Sequence, residues 1–283
     1  MSYLTTPTSF ITVDGTKIAY RELSAGASRL PLVMLVHLAA NLDNWDPRLV
    51  DRLANDRHLI LLDLPGVGAS GGTVPPTLEE AGEQAARIVR GLGHDRVDLL
   101  GLSMGGMIAQ EVVRHDPELV ERLILVGTGP RAGLGIDKVT PTTFRHMFRA
   151  ALKRKDPKRY IFYTRDAHGE AVANEVLGRL GSRTAQYADK AVTVPSFLRQ
   201  LRAIKRWGAS PADDLSHITM PTLIVNGDAD DMVPTPNSYD MHERIAGSRL
   251  VIYPHAGHGS LFQHAEEFAA EVNGFLADTA ANS

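Results

Sequence analysis

The chain has 283 residues, a length that suits one large α/β domain or a core with a modest insertion. Lys plus Arg number 30 against 33 Asp plus Glu, a formal net charge of −3, so no overall basic field points to nucleic acid or an anionic membrane surface. With no cysteine, disulfides, thiolate zinc sites and cysteine nucleophiles are excluded.

The first residues, MSYLTTPTSFITVDG, lack the charged start and apolar run of a signal peptide, so a cytoplasmic location is expected. SFITV and TKIAYREL, separated by Asp14-Gly15, predict an antiparallel hairpin. LPLVMLVHLAA (30–40) falls far short of the ~20 residues of a membrane span. It reads as a strand buried on both faces of a parallel sheet. Further short strands rich in Val, Ile and Leu are predicted at 58–66, 96–103, 122–129, 221–228 and 248–258. Helical patterns fall at 78–92, 104–115, 237–245 and 261–276. Alternation of this kind predicts an α/β fold: an open, mostly parallel eight-stranded sheet with helices on both faces.

The rhythm breaks between Gly129 and Pro221. TPTTFRHMFRAALKRK, GEAVANEVLGRLGSRTAQYADK and PSFLRQLRAIKRWG are helical in pattern, with no buried strand among them. The expected division is a core of residues 1–130 and 216–283 and a helical cap of residues 131–215.

Chemistry concentrates in VDLLGLSMGGMIAQEVV (97–113). Ser103 lies between a strand and a helix, where a serine can be no more than an N-cap. Gly101 and Gly105 flank it in G-x-S-x-G, and Gly106 follows. That spacing suits a strained strand–turn–helix elbow that exposes a nucleophile and leaves the Met104 N–H at a helix N-terminus. A serine hydroxyl needs a base, and the base needs an orienting acid. In open α/β sheets such groups collect beyond the carboxyl ends of strands. There TLIVNGDADDMVP offers Asp228, Asp230 and Asp231, and LVIYPHAGHGSLF offers His255 and His258. The two histidines lack a third ligand cluster, so no metal site is expected.

With DLPGVGAS (63–70) added, these motifs make the chain resemble the α/β-hydrolase superfamily, in its serine-nucleophile branch, over most of its length outside the insertion. The resemblance implies that fold with a helical cap, a Ser103–Asp230–His258 triad and no cofactor. Asp230 is three residues past the loop glycine and four before the proline, where relatives carry the acid; AGHG resembles their histidine loop. Asp228 is then read as a turn stabiliser, Asp231 as a solvated neighbour and His255 as a loop residue. The oxyanion hole is where the chain departs from relatives, which commonly carry His-Gly: here the segment is VHLAANLDNWDP. Counting back from Trp45, as in the enol-lactone hydrolases, places the Leu38 N–H beside that of Met104; counting forward from His37 gives Ala39 instead. Asn41 and Asn44 are candidates for substrate contact or for a turn.

Candidate pocket residues are His37, Ala39 and Trp45, with Phe144, Phe148 and Trp207 from the insertion. Met147, Tyr160, Phe162, Tyr163 and Phe197 share that apolar content, which serves equally as the insertion's own core. RHMFRAALKRKDPKR carries seven Lys or Arg against one Asp, read as a solvated face rather than an anion site. The expected activity is cleavage of a carboxylic ester or lactone through an acyl-enzyme. Cofactor-free perhydrolase or haloperoxidase chemistry and carbon–carbon bond hydrolysis are alternatives on the same triad. A ligand-binding receptor on this fold is the reading from another class, against which the complete triad weighs. The expected partner is a small-molecule ester or lactone, with no nucleic acid or membrane, and the chain a monomer or homodimer.

Overall fold

In the computed structural model, which describes residues 2–278, the hairpin of β1 (Ser9–Val13) and β2 (Thr16–Leu23) turns through Asp14 and Gly15, both at positive φ. β3 (Leu32–Leu35), β4 (Leu59–Leu62), β5 (Val97–Leu102), β6 (Val120–Val126), β7 (Thr222–Gly227) and β8 (Arg249–Tyr253) complete one sheet. Its order is β1-β2-β4-β3-β5-β6-β7-β8. β2 runs antiparallel to both neighbours, and every pairing from β4 to β8 is parallel.

The continuous apolar runs of the central strands have a simple cause: both faces are covered. Val33, Leu35, Ile60, Leu62, Leu99 and Leu125 point to one apolar layer, and Leu32, Met34, Leu59, Leu61, Leu100 and Ile124 to the other. The first layer is roofed by α2 (Leu78–Gly91), α3 (Met104–His115) and α8 (Pro236–Arg244). The second is closed by α1 (Pro47–Ala54) and α10 (Ala265–Asp278). None of the predicted helices covers α1, although Asp46-Pro47 announces it: the Asp46 carboxylate accepts from the Arg48 N–H and Pro47 occupies the first turn.

One predicted helix is two. The 261–276 pattern is broken at His264, which leaves helical angles (φ −114°, ψ 45°) and stacks its ring on Tyr253, centroids 4.6 Å apart. The short α9 (Ser260–Gln263) precedes the break.

Between β6 and β7 run α4 (Val139–Lys153), α5 (Lys158–Phe162), α6 (Ala167–Leu180) and α7 (Val194–Ala209). The pattern at 169–190 overshoots: α6 stops at Leu180, and residues 181–193 are irregular. This insertion is tied down at polar points. Arg179 of α6 clasps the fully buried Asp46 carboxylate at 2.8 and 2.7 Å, and Ser196 of α7 donates to the Gly66 carbonyl at 2.7 Å.

Candidate active site

Ser103 joins β5 to α3 with φ 57° and ψ −117°, a conformation that non-glycine residues seldom adopt. Its surroundings hold it there. The Ser103 N–H donates to the Val126 carbonyl at 2.8 Å, and Thr128 donates its hydroxyl to the Ser103 carbonyl at 2.8 Å. The flanking glycines are required by contact: a Cβ on Gly101 would meet the Gly105 carbonyl oxygen at 2.4 Å, and one on Gly105 the Leu35 carbonyl oxygen at 2.2 Å. The capping alternative is disposed of directly, because the Ser103 hydroxyl makes no cap hydrogen bond to α3.

That hydroxyl instead lies 2.9 Å from His258 Nε2, and His258 Nδ1 lies 2.7 Å from Asp230 Oδ2. All three side chains are buried. His258 follows β8 and Asp230 follows β7, two neighbouring parallel strands that end beside the elbow. The second carboxylate oxygen of Asp230 accepts from the N–H groups of Met232 (2.8 Å) and Val233 (3.0 Å), which fixes its orientation.

The neighbours sort clearly. Asp228 accepts from the Ala256 N–H at 3.2 Å and so ties the acid loop to the histidine loop. His255 is exposed and contributes its carbonyl to Gln263. Asp231 is more than a solvated neighbour: Arg165 (3.1 Å), His146 (3.3 Å) and Arg145 (3.6 Å), all from the insertion, converge on it. Burial pushes its pKa up, but the neighbouring His146, Arg165 and Arg145 outweigh that and hold it below the usual carboxylate range. In the 63–70 loop the Asp63 carboxylate accepts from the Leu42 N–H at 2.9 Å, and burial, then the adjoining Asp189 carboxyl, push its pKa up.

Two main-chain donors compete for the oxyanion position. The Ala39 N–H is engaged by the Gln200 side chain at 2.9 Å, while that of Leu38 has no partner among the described residues. Ala39 itself adopts φ 59°, where glycine is usual. The Met104 N–H, first in α3, has no acceptor one helical turn back.

A cavity of about 550 Å³ opens over Ser103 and His258. His37 and Ala39 line it, whereas Trp45, Phe144, Phe148 and Trp207 do not. Trp45 is fully buried against Phe262, Trp207 is buried under the Arg131 guanidinium, and the Phe144 and Phe148 rings are exposed. From the insertion the cavity takes Met147, Ile161, Phe162 and Phe197 instead. The Phe162 ring covers both histidines, 5.5 Å from that of His258 and 4.7 Å from that of His37. Burial drives the His37 pKa down to about 3, so the ring is neutral, its Nδ1 2.8 Å from the Leu38 carbonyl oxygen. Asn41 and Asn44 also reach the cavity, but their side chains cap their own turn.

Asp213, Asp214 and His217 bring possible metal-ligand atoms within 4.8 Å of one another. Asp213 is already paired with Arg114, and Asp214 with Ser216. Met107, Lys158 and residues 191–194 of the cavity wall carry no motif of their own, and only the fold brings these wall residues together.

Comparison with known proteins agrees with this geometry. The alpha/beta hydrolase fold family matches residues 31–265. The chain belongs to that family. Across 95% of both chains it is 30% identical to a 2-hydroxy-6-oxononadienedioate/2-hydroxy-6-oxononatrienedioate hydrolase of Klebsiella pneumoniae. It is 27% identical to a pimeloyl-[acyl-carrier protein] methyl ester esterase of Nitrosomonas europaea, over 84% of this chain and 92% of that one. An alpha/beta hydrolase fold protein from Chitinophaga pinensis superposes with a TM-score of 0.90 at 33% identity, covering 98% of this chain and 99% of the other. The chain is a hydrolase of the α/β fold. No helix among the described residues is long and apolar enough to cross a membrane.

Proposed function

We propose that this hydrolase cleaves a carboxylic ester or lactone, with Ser103 as nucleophile, His258 as general base and Asp230 as its orienting acid. The observation that carries the reading is the unbroken chain of hydrogen bonds from the Ser103 hydroxyl through His258 to Asp230 at the floor of an open cavity. His258 takes the serine proton as Oγ attacks the carbonyl, and Asp230 stabilises the imidazolium that forms. The N–H groups of Met104 and Leu38 receive the developing oxyanion, since the Ala39 N–H is already engaged by Gln200. His258 then returns the proton to the leaving alkoxide, and water resolves the acyl-enzyme by the same steps.

A second reading, hydrolysis of a carbon–carbon bond in a carboxylate-bearing substrate, has one observation in its favour. Lys158 lines the cavity and makes no ion pair among the described residues. The Klebsiella relative is named for dioate substrates. Turnover of p-nitrophenyl esters of increasing acyl length at about pH 8 tests the first reading. Activity that collapses in Ser103→Ala supports it; absence of turnover on every ester and lactone, with turnover of a dioate, would favour the second.

A further inference from the structure

Nine large apolar side chains are exposed among the described residues, and seven of them lie in the insertion. Phe144, Met147, Phe148 and Leu152 form one stripe on α4 at helical spacing, opposite the buried Thr143, His146 and Ala150. Val194 and Leu198 extend it along α7, which packs beside α4 through the Phe144–Phe197 ring contact at 6.2 Å. Phe148, Leu152 and Val194 are each 68–69% exposed, well beyond incidental surface apolarity.

The charge on these two helices has a single sign. α4 and α7 contain seven Lys or Arg and no Asp or Glu, in a chain whose formal net charge is −3. Arg149, Lys153, Arg199, Arg202 and Lys205 make no ion pair among the described residues. The stripe also borders the cavity, since Met147, Val194 and Phe197 belong to the cavity wall.

We infer that this face of α4 and α7 docks the enzyme on an anionic lipid–water interface, with the cavity opening toward the lipid. Apolar side chains seated at the headgroup boundary, flanked by cations with no acid among them, match the chemistry of such a surface. A specific protein partner is registered by paired charges of both signs and fixed hydrogen bonds. An anionic film requires only apolar area and sign, which is what α4 and α7 present. This departs from the expectation of no membrane partner, because the net charge conceals the segregation of basic residues onto two helices. The inference is independent of the chemistry at Ser103, and its primary readout is binding.

The purified full chain is floated with vesicles of phosphatidylcholine alone or with about 30% phosphatidylglycerol, at low salt and at about 0.5 M NaCl. Binding to the anionic vesicles only, released by salt, is expected. The double variant Phe148→Glu and Leu152→Glu should reduce the bound fraction about tenfold, and so should Arg149→Glu with Lys153→Glu. Neither pair lines the cavity, and each variant should keep wild-type turnover of a soluble short-chain ester, which also reports correct folding. No binding to anionic vesicles, or binding untouched by both variants, would overturn the inference. Dimerisation in solution that the Phe148→Glu/Leu152→Glu variant abolishes would overturn it as well, assigning the face to a second copy.

Discussion

The loops at the ends of β5, β7 and β8 and the helices between β6 and β7 follow opposite physical rules. In the loops, buried polar groups are paired, and Gly101 and Gly105 stand where a Cβ would lie only 2.2–2.4 Å from backbone oxygens, so little can vary. In the insertion, large apolar side chains stand in solvent and cations lack partners, while a few polar anchors hold the helices to the core. The first region holds the proposed catalytic groups; the second presents an exposed surface and part of the cavity wall. Tight packing and full hydrogen bonding carry the proposed chemistry, and the proposed docking rests on the looser insertion.

The comparison is sharpened most by Ser103→Ala, which should lower kcat by about 10⁵-fold or more while leaving thermal stability near wild type. Asp230→Asn should follow, at about 10³–10⁴-fold in kcat, because an amide cannot stabilise the imidazolium and favours the wrong tautomer. A loss below tenfold in either variant would break the assignment of chemistry to the loops.

Next in size is an effect on stability. His37 is buried and neutral with a folded pKa of about 3, below the ordinary value of 6.5, so the unfolded chain binds more protons between those values. The contribution of His37 to stability is therefore fully present above pH 6.5 and is lost progressively on acidification toward pH 3. Urea titrations across that window should show a shallower decline for His37→Asn than for wild type. Equal slopes would mean that His37 does not carry the acid sensitivity.

The smallest effect expected is that of Gln200→Ala. Its side chain holds the Ala39 N–H and thereby the turn that presents Leu38. Loss of this one hydrogen bond, worth about 1 kcal/mol, should reduce kcat about fivefold with KM little changed. An increase in kcat would point to the Ala39 N–H as the oxyanion donor that Gln200 had been blocking.

How far the sequence could be read follows the same division. Ser103 was legible because an elbow admits only glycine at 101 and 105, and the contacts of those residues show why. The parallel strands were legible because burial on both faces leaves no polar alternation. The pocket wall was not. Which of Phe144, Phe148, Phe162 and Phe197 reaches the cavity depends on how each helix is rotated against the core, and an amphipathic pattern with two apolar faces leaves that undetermined. Asp231 is exposed, as read, but its ion partners were not legible for a related reason: Arg145, His146 and Arg165 are distant in sequence and meet it only through the packing of the insertion. The break at His264 likewise depends on Tyr253, a strand away.

The most direct test of the central claim is covalent labelling of the intact chain with a fluorophosphonate, followed by mass spectrometry of the peptides. A single adduct on Ser103, absent in Ser103→Ala and strongly slowed in Asp230→Asn, is the predicted result. Hydrolytic activity that survives without modification of Ser103, or an adduct on another residue whose appearance tracks loss of activity, would contradict it.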